Sequence, residues 1–335
     1  MAPVFSLVLP IYNEEAVLPI LLRRLDALLD SVGASAEAIF VDDGSRDAGP
    51  IVLEAKARSD PRYRFIKLSR NFGHQIAITT GMAAARGRAV VVMDADLQDP
   101  PEVVLEMIAK WREGYEVVYA ERLTREGEST FKRASADLFY RLLQRLSDVH
   151  IPRNVGDFRL VDRKALDAFL AMPERDRFVR GMFAWIGFRQ TTVQFHRASR
   201  AAGETKYPLT KMLRLAAAGV VSFSDTPLRL ALWAGACVSG LAFFYACWVV
   251  GLWVVGAYTV PGWSSTIIVV AALGGANMLM TGILGLYIGR IHAEVKSRPL
   301  FIVDRTVGFD AEEKLVGYAA QGFGSPDRRA ANRAP

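Results

Sequence analysis

The sequence predicts an α/β domain built on a mainly parallel sheet, followed by two membrane-spanning helices. Three observations carry that expectation. Short β-branched runs alternate with amphipathic stretches through about the first 120 residues. Polar, acid-rich segments recur directly after those runs. From Leu230 to Gly289, 60 consecutive residues contain no Asp, Glu, Lys, Arg or His, although the chain as a whole is 23% charged.

Val4–Leu9, Ala38–Val41, Tyr63–Leu68, Ala89–Met93 and Glu116–Ala120 read as strands, and the first four are each followed by a helical pattern. Leu18, Leu21, Leu22, Leu25, Leu28 and Leu29 show the helical spacing most clearly. Strand and helix in alternation give a parallel sheet covered on both faces, in which ligands bind beyond the carboxyl ends of the strands. At those ends stand Pro10-Ile11-Tyr12-Asn13-Glu14, Asp42-Asp43-Gly44-Ser45 and Asp94-Ala95-Asp96-Leu97-Gln98-Asp99. Three converging acidic loops suit a hard cation held by carboxylate oxygens, with a phosphate as a further ligand. Neither a Gly-x-Gly-x-x-Gly nor a Walker lysine motif occurs, which argues against a dinucleotide dehydrogenase or P-loop enzyme. Asp42 reads as the cap of the following turn. Asn154–Arg159 reads as a loop whose Asp157 orients a ligand or a basic partner, or pairs with Arg159.

Between Pro208 and Val221 apolar residues share a helical pattern with Lys211 and Arg214, as in a helix lying in the headgroup plane; a core helix is the alternative. The uncharged run is far longer than the ~20 residues of one span, and it breaks at Tyr258–Ser265, giving helices Leu230–Ala257 and Thr266–Ile288. Trp253, Tyr258, Trp263 and Tyr287 suit interfacial anchors. Lys206, Lys211, Arg214 and Arg229 precede the first span and Arg290, Lys296 and Arg298 follow the second, so both termini are expected in the cytoplasm of an inner-membrane protein. Met1–Pro10 lacks the basic region and cleavage site of a signal peptide. Cys237 and Cys247 are roughly 15 Å apart along a helix, too far for a disulfide. The net charge of +6 is not gathered into one run with interleaved aromatics, and several cations flank the spans, where anionic headgroups attract them; a nucleic-acid partner is not expected. Gly235-x-x-x-Ser239, Gly285-x-x-x-Gly289 and Asn277 suit close helix contacts, either inside one hairpin or in a homo-oligomer. The resulting organisation is a catalytic domain over 1–207, a juxtamembrane amphipathic helix over 208–228, a two-helix hairpin over 229–289 and a cytoplasmic tail over 290–335 with a disordered end.

The motifs Pro10-Ile-Tyr-Asn-Glu14, Asp42-Asp43-Gly44-Ser45, Asp94-Ala95-Asp96-Leu97-Gln98, Gly156-Asp157-Phe158-Arg159 and Thr205-Lys206-Tyr207, followed by two spans, resemble the inverting GT-A glycosyltransferases that load a sugar onto a polyisoprenyl phosphate. Dolichyl-phosphate mannose synthases, bactoprenol glucosyltransferases and undecaprenyl-phosphate aminoarabinose transferases belong to that group, and the resemblance covers residues 4 to about 300. The Gln-x-x-Arg-Trp signature of processive polysaccharide synthases is absent.

The resemblance implies a GT-A catalytic domain that moves a sugar from a nucleotide-sugar donor to undecaprenyl or another polyprenyl phosphate in one inverting displacement. UDP-glucose is the first reading of the donor; aminoarabinose and mannose donors are the alternatives within the class, and a non-catalytic sugar-lipid carrier or scaffold the alternative outside it. By the same resemblance Asp94, Asp96 and Gln98 surround a divalent cation, Mg2+ or Mn2+, and the donor diphosphate, with Ala95 beside them. Pro10, Tyr12, Glu14, Val41 and Asp43 match base and ribose positions, Arg200 and Lys206 the donor diphosphate, and Arg122 the acceptor phosphate, with Lys132 and Arg133 as further acceptor cations. Asp96, Asp157 and Arg122 are the catalytic candidates. Because the second pKa of a phosphate monoester is near 6, the acceptor is mostly a dianion at neutral pH and needs positioning rather than a general base.

Overall fold

The computed structural model describes residues 3–123, 155–175, 177–196, 226–255 and 262–309. One 8-stranded sheet holds β1 (Phe5–Ile11), β2 (Ala36–Asp42), β3 (Tyr63–Leu68), β4 (Ala89–Val92), β5 (Val117–Arg122), β6 (Val155–Asp162), β7 (Gln190–Phe195) and β8 (Val303–Val307), in the order β7-β5-β6-β4-β1-β2-β3-β8. The centre is parallel, with β1 between β2 and β4 and β3 beside β2. Strands β6 and β8 run antiparallel to their neighbours, so the sheet is mixed towards both edges although β7 again lies parallel to β5. Chain order reverses at β1, and the crevice beyond the carboxyl ends of β1 and β4 is the switch point where such sheets bind ligands.

Alternate side chains of the strands enter two cores. Leu7, Leu9, Phe40 and Val91 pack with leucines of α1 (Leu18–Ser31), Leu53 of α2 (Gly49–Ser59) and Met107 of α4 (Val103–Arg112). Val8, Ile39, Val41 and Val92 pack on the other face with Ile78 and Met82 of α3 (His74–Ala84), Phe169 of α5 (Arg163–Ala171) and Phe183 of α6 (Val179–Trp185). Strands covered on both faces read as continuous apolar runs, which is why β1 to β5 are visible in the sequence.

The structure corrects two expectations. Asn154–Arg159 does not form a loop: from Val155 onward it is the start of β6, and Asp157 and Arg159 hide the strand pattern because they are buried together as an ion pair at 3.2 Å. Nor is the segment after residue 290 wholly a tail, because Val303–Val307 returns to the sheet as β8, antiparallel to β3. Its Asp304, Arg305 and Thr306 are exposed, as edge-strand residues are, and this conceals it. The expected headgroup helix over 208–221 and the expected disordered end lie outside the described residues.

Two long helices form a second unit with the residues around them. These are α7 (Thr226–Val254, 29 residues) and α8 (Trp263–Val295, 33 residues). A Cβ on Gly235 would lie 3.4 Å from Met280 Cε, so the two helices touch at that glycine. Counting only the described residues, no helix is long and apolar enough to cross a membrane; the 60-residue uncharged run is a property of the complete sequence.

Gly81 sets how closely α3 approaches the sheet. A Cβ there would overlap Val8 and lie 3.0 Å from Val41 Cγ2. Gly81→Ala is therefore expected to destabilise by about 1–3 kcal/mol through overpacking, despite the better helix propensity of alanine. A lower apparent Tm in a thermal scan is the expected reading, and an unchanged or higher Tm would show that the sheet gives way freely.

Candidate active site

A cavity of about 250 Å³ opens at the β1/β4 switch point, lined by Pro10, Ile11, Tyr12, Glu14, Asp43, Asn71, Gly73, His74, Ala77, Asp94, Ala95 and Asp96. Backbone N–H groups and carboxylates lace its loops together. Asn13, at φ 54°, donates its backbone N–H to Ser45 Oγ at 2.9 Å and accepts from Arg46 N at 2.8 Å. Glu15 N donates to Asp47 Oδ2 at 3.0 Å, and Glu15 Oε2 accepts from Ala48 N at 3.0 Å. Asp42 Oδ1 accepts from Ser45 N at 2.9 Å, the turn-capping role its position suggests.

Asp43 ties in the loop that follows β3. Its two oxygens accept from Phe72 N at 2.7 Å and Gly73 N at 2.9 Å. Burial raises its pKa, and those two backbone bonds oppose the rise. Gly44, at φ +77°, passes under the same loop where a Cβ would meet Asn71 N at 2.7 Å.

Asp94 and Asp96 follow β4. Asp96 Oδ1 accepts from Gln98 N at 3.1 Å, and Leu97 between them is held at φ 60°, a strained conformation for a leucine. Asp94 Oδ1 is buried without a hydrogen-bond partner, and His74 Nε2 lies 3.5 Å from it. Burial raises the Asp94 pKa, and nearby Asp157 and Asp96 raise it further against His74 and Arg122. Among the described residues no group of three or more His, Cys, Asp or Glu is arranged to hold a metal ion. A site of two carboxylates, one with an unsatisfied buried oxygen, nevertheless fits a hard cation whose remaining ligands come from a phosphate or water.

At the start of β6, Asp157 accepts from His74 Nε2 at 3.2 Å, Gln75 Nε2 at 3.1 Å, Arg159 Nη2 at 3.2 Å and Arg180 Nε at 3.0 Å. Burial alone would push its pKa up, but Arg180, the His74 hydrogen bond and Arg159 outweigh it and hold the carboxyl well below the usual range. His74 shifts the other way: burial lowers its pKa, while the bond to Asp157 and the charges of Asp94 and Asp157 raise it overall. A carboxylate so thoroughly paired is a poor proton acceptor.

The structure thus brings Pro10, Tyr12, Glu14, Asp43, Asp94, Ala95 and Asp96 to one cavity. Val41 is fully buried in the core under α3, and Gln98 contributes a backbone N–H to Asp96 without lining the cavity. Arg122 lies over Gly156, where a Cβ would meet its Nη2 at 2.7 Å, and stands 3.9 Å from Asp99 Oδ1. Lys132, Arg133, Arg200 and Lys206 lie outside the described residues. Asn71, Gly73, His74, Gln75 and Arg180 go unnoticed in the sequence; the run Arg70-Asn-Phe-Gly-His-Gln75, directly after a recognised strand, is the signal that points to most of them.

Residues 6–170 match the family described as Glycosyl transferase family 2. Over 306 residues the chain is 49% identical to the uncharacterized glycosyltransferase YkcC of Bacillus subtilis (strain 168), spanning 91% of this chain and 95% of that protein. The chain belongs to glycosyl transferase family 2. It is accordingly a glycosyltransferase, and the cavity at the switch point is its candidate active site. The chain is also similar to the prophage bactoprenol glucosyl transferase homolog of Escherichia coli (strain K12), 38% identical over 300 residues that span 90% of this chain and 98% of that protein. Among solved structures it is similar to glucosyl-3-phosphoglycerate synthase from Mycobacterium tuberculosis in complex with Mn2+, UDP-glucose and phosphoglyceric acid, at 22% identity and TM-score 0.46, over 66% of this chain and 79% of that chain.

Asp157→Asn is expected to destabilise the fold by about 3–5 kcal/mol at pH 7, because it leaves buried Arg159 without its counter-charge. The sign follows from the depressed pKa. The stabilisation is present above the unfolded value near 3.9 and is lost as pH falls through the lower folded value. Denaturation of both proteins from pH 7 to below pH 4 should show the gap closing only at the acid end; a gap that closes by pH 6 would remove the ion pair as its cause.

Proposed function

We propose that this glycosyltransferase transfers a sugar, glucose from UDP-glucose in the first instance, to a polyprenyl phosphate at a membrane surface, with a divalent cation at Asp94 and Asp96. The observation that carries the reading is the pairing of that acidic switch-point cavity with relatives named bactoprenol glucosyl transferase along nearly the whole chain. The uncharged run supports the membrane part. Helices of 29 and 33 residues rise about 43 and 50 Å, more than the ~30 Å hydrocarbon core. Basic residues on both flanks of the run support a cytoplasmic catalytic domain.

The donor's base and ribose take the Pro10, Tyr12, Glu14 and Asp43 side of the cavity, and its diphosphate the Asp94–Asp96 side. When bound, Mg2+ or Mn2+ would supply positive charge against that growing on the departing diphosphate. Asp96, oriented by Gln98 N–H, and Asp94, with its unsatisfied oxygen, are the residues that would hold it. Arg122, Lys132 and Arg133 are proposed cations for the acceptor phosphate, and Arg200 and Lys206 for the donor diphosphate. The acceptor dianion attacks the anomeric carbon opposite the diphosphate, so one bond forms, one breaks and the configuration inverts. No side chain has to remove a proton.

Asp96→Asn keeps the shape and removes the charge. It is expected to abolish turnover of UDP-glucose with undecaprenyl phosphate while weakening UDP binding far less, because the cation matters most to the leaving group. Nucleotide release and calorimetry measure the two effects. Full activity of the variant, or of the wild type in excess chelator, would sink the cation assignment; absence of lipid-linked sugar with any nucleotide sugar would sink the acceptor assignment.

A further inference from the structure

His74 is held at both ends. Its backbone follows Gly73, whose N–H donates to Asp43 Oδ2 at 2.9 Å, and its ring reaches across the carboxyl ends of the strands to Asp157 Oδ2 at 3.2 Å. Asp157 is fixed in turn by Gln75 Nε2 at 3.1 Å and Arg180 Nε at 3.0 Å, and Gln75 Oε1 accepts from Val179 N at 3.2 Å, so the first turns of α3 and α6 hold the carboxylate still. An ionised carboxylate only accepts hydrogen bonds, which puts the proton of the His74 contact on Nε2. The other ring nitrogen, Nδ1, has no hydrogen-bond partner among the described residues. The ring nevertheless lines the cavity, with 46% of its side chain exposed. Satisfying Asp157 alone does not require that exposure.

The place of the ring along the cavity follows from strand order. β2, β1, β4 and β6 are successive neighbours in the sheet. Asp43 follows β2, Tyr12 follows β1, Asp94 stands after β4 and Asp157 lies in β6. A donor whose nucleoside takes the Asp43 side and whose diphosphate takes the Asp94 side carries its sugar beyond the diphosphate, towards β6. His74 Nε2 lies between the carboxylates of those last two strands, 3.5 Å from Asp94 Oδ1 and 3.2 Å from Asp157 Oδ2. The imidazole therefore stands on the sugar's side of the diphosphate. A sugar hydroxyl both donates and accepts, so it pairs with Nδ1 whether or not that nitrogen carries a proton.

We propose that His74 Nδ1 hydrogen-bonds a hydroxyl of the transferred sugar and so helps to select it, and that Asp157 is the positioning residue that orients the ring. The inference rests on the reading of the cavity as a nucleotide-sugar site with the diphosphate at Asp94 and Asp96. A nitrogen aligned before the donor arrives binds the right sugar without further ordering, and it is left unpaired by a sugar that lacks the hydroxyl.

The test uses the full-length protein in nanodiscs with Mn2+ present, and calorimetric Kd values for UDP, UDP-glucose and the monodeoxy analogues of UDP-glucose. In the wild type one analogue should bind about 2-fold to 13-fold more weakly than UDP-glucose, the worth of one hydrogen bond. The side-chain amide of Gln reaches the place of Nε2 and that of Asn the place of Nδ1, so two variants separate the two nitrogens. His74→Gln, which keeps the bond to Asp157, should leave the UDP Kd unchanged and lose the discrimination. His74→Asn should retain part of it. If neither variant folds, diethyl pyrocarbonate labelling of His74 in the wild type, read by mass spectrometry, decides: UDP-glucose should slow it more than UDP does. No weakened analogue in the wild type, equal discrimination by wild type and folded His74→Gln, or equal protection by UDP and UDP-glucose overturns the proposal while leaving the glucosyltransferase reading intact. Wild-type protein that binds UDP-glucose no more tightly than UDP and makes no lipid-linked glucose overturns both.

Discussion

Gathering carboxylates at one end of a sheet is the constraint that the rest of this structure answers. Asp42, Asp43, Asp99 and Asp157 are all buried, and Asp94 joins them at the same edge. Each ionised group in so poor a solvent would be costly without partners. Asp43 is satisfied by the backbone N–H groups of Phe72 and Gly73, and Asp42 Oδ1 accepts from that of Ser45. Asp157 draws on two guanidiniums, an imidazole and an amide. These partners come from the loops after β2 and β3 as well as from α3, β6 and α6, so the groups that neutralise the acids also hold the cavity's walls together. Asp94 Oδ1, like Asp42 Oδ2, has no hydrogen-bond donor, but Asp94 also lines the cavity and its pKa is raised by burial, features that suit a group open to a ligand.

The difference between Asp94 and Asp157 shows how environment divides work between similar side chains. Both are aspartates at adjacent strand ends, and His74 Nε2 approaches both, at 3.5 and 3.2 Å. One ends with a raised pKa and the other with a lowered one, because burial dominates at Asp94 whereas Arg180 and Arg159 pair directly with Asp157. A strongly paired carboxylate is a fixed structural charge, whereas an under-satisfied one is ready for a cation. This separation removes Asp157 as a general base and fits a reaction whose nucleophile arrives already ionised.

Much of this was legible in the sequence, for identifiable reasons. β1 to β5 are recognisable because strands buried on both faces must be apolar throughout, and the acidic loops because their chemistry stands out after such runs. β6 escaped because Asp157 and Arg159 look like loop residues until each is seen to neutralise the other. β7 and β8 escaped because edge strands carry polar side chains: Gln190, Thr191 and Thr192 in one, Asp304, Arg305 and Thr306 in the other. His74 and Arg180 were missed because their importance lies in a contact across 83 and 23 residues of sequence, which no local pattern records.

The eighth strand shows most clearly how long-range pairing decides what counts as a domain. The sheet unit contains chain from before α7 and after α8, so the two helices interrupt it in sequence. Closing a flexible loop of the length between Phe195 and Val303 would cost roughly 4 kcal/mol of chain entropy. What offsets this is local and specific. Phe301 is buried, Arg64 Nε donates to Gly308 O at 3.2 Å and stacks 3.7 Å from the Phe309 ring, and Ser69 N donates to Ile302 O at 2.9 Å. Gly308, at φ +80°, fits where a Cβ would meet Tyr63 O at 2.7 Å. α7 and α8 also touch one another, which leaves fewer independent residues in the loop and lowers the closure cost. The strand covers the β3 edge of the sheet, and its Ile302 bonds the residue after β3, at the root of the loop that carries Asn71, Gly73 and His74 into the cavity. One wall of the active site is thus buttressed by residues that the chain reaches only after completing both helices.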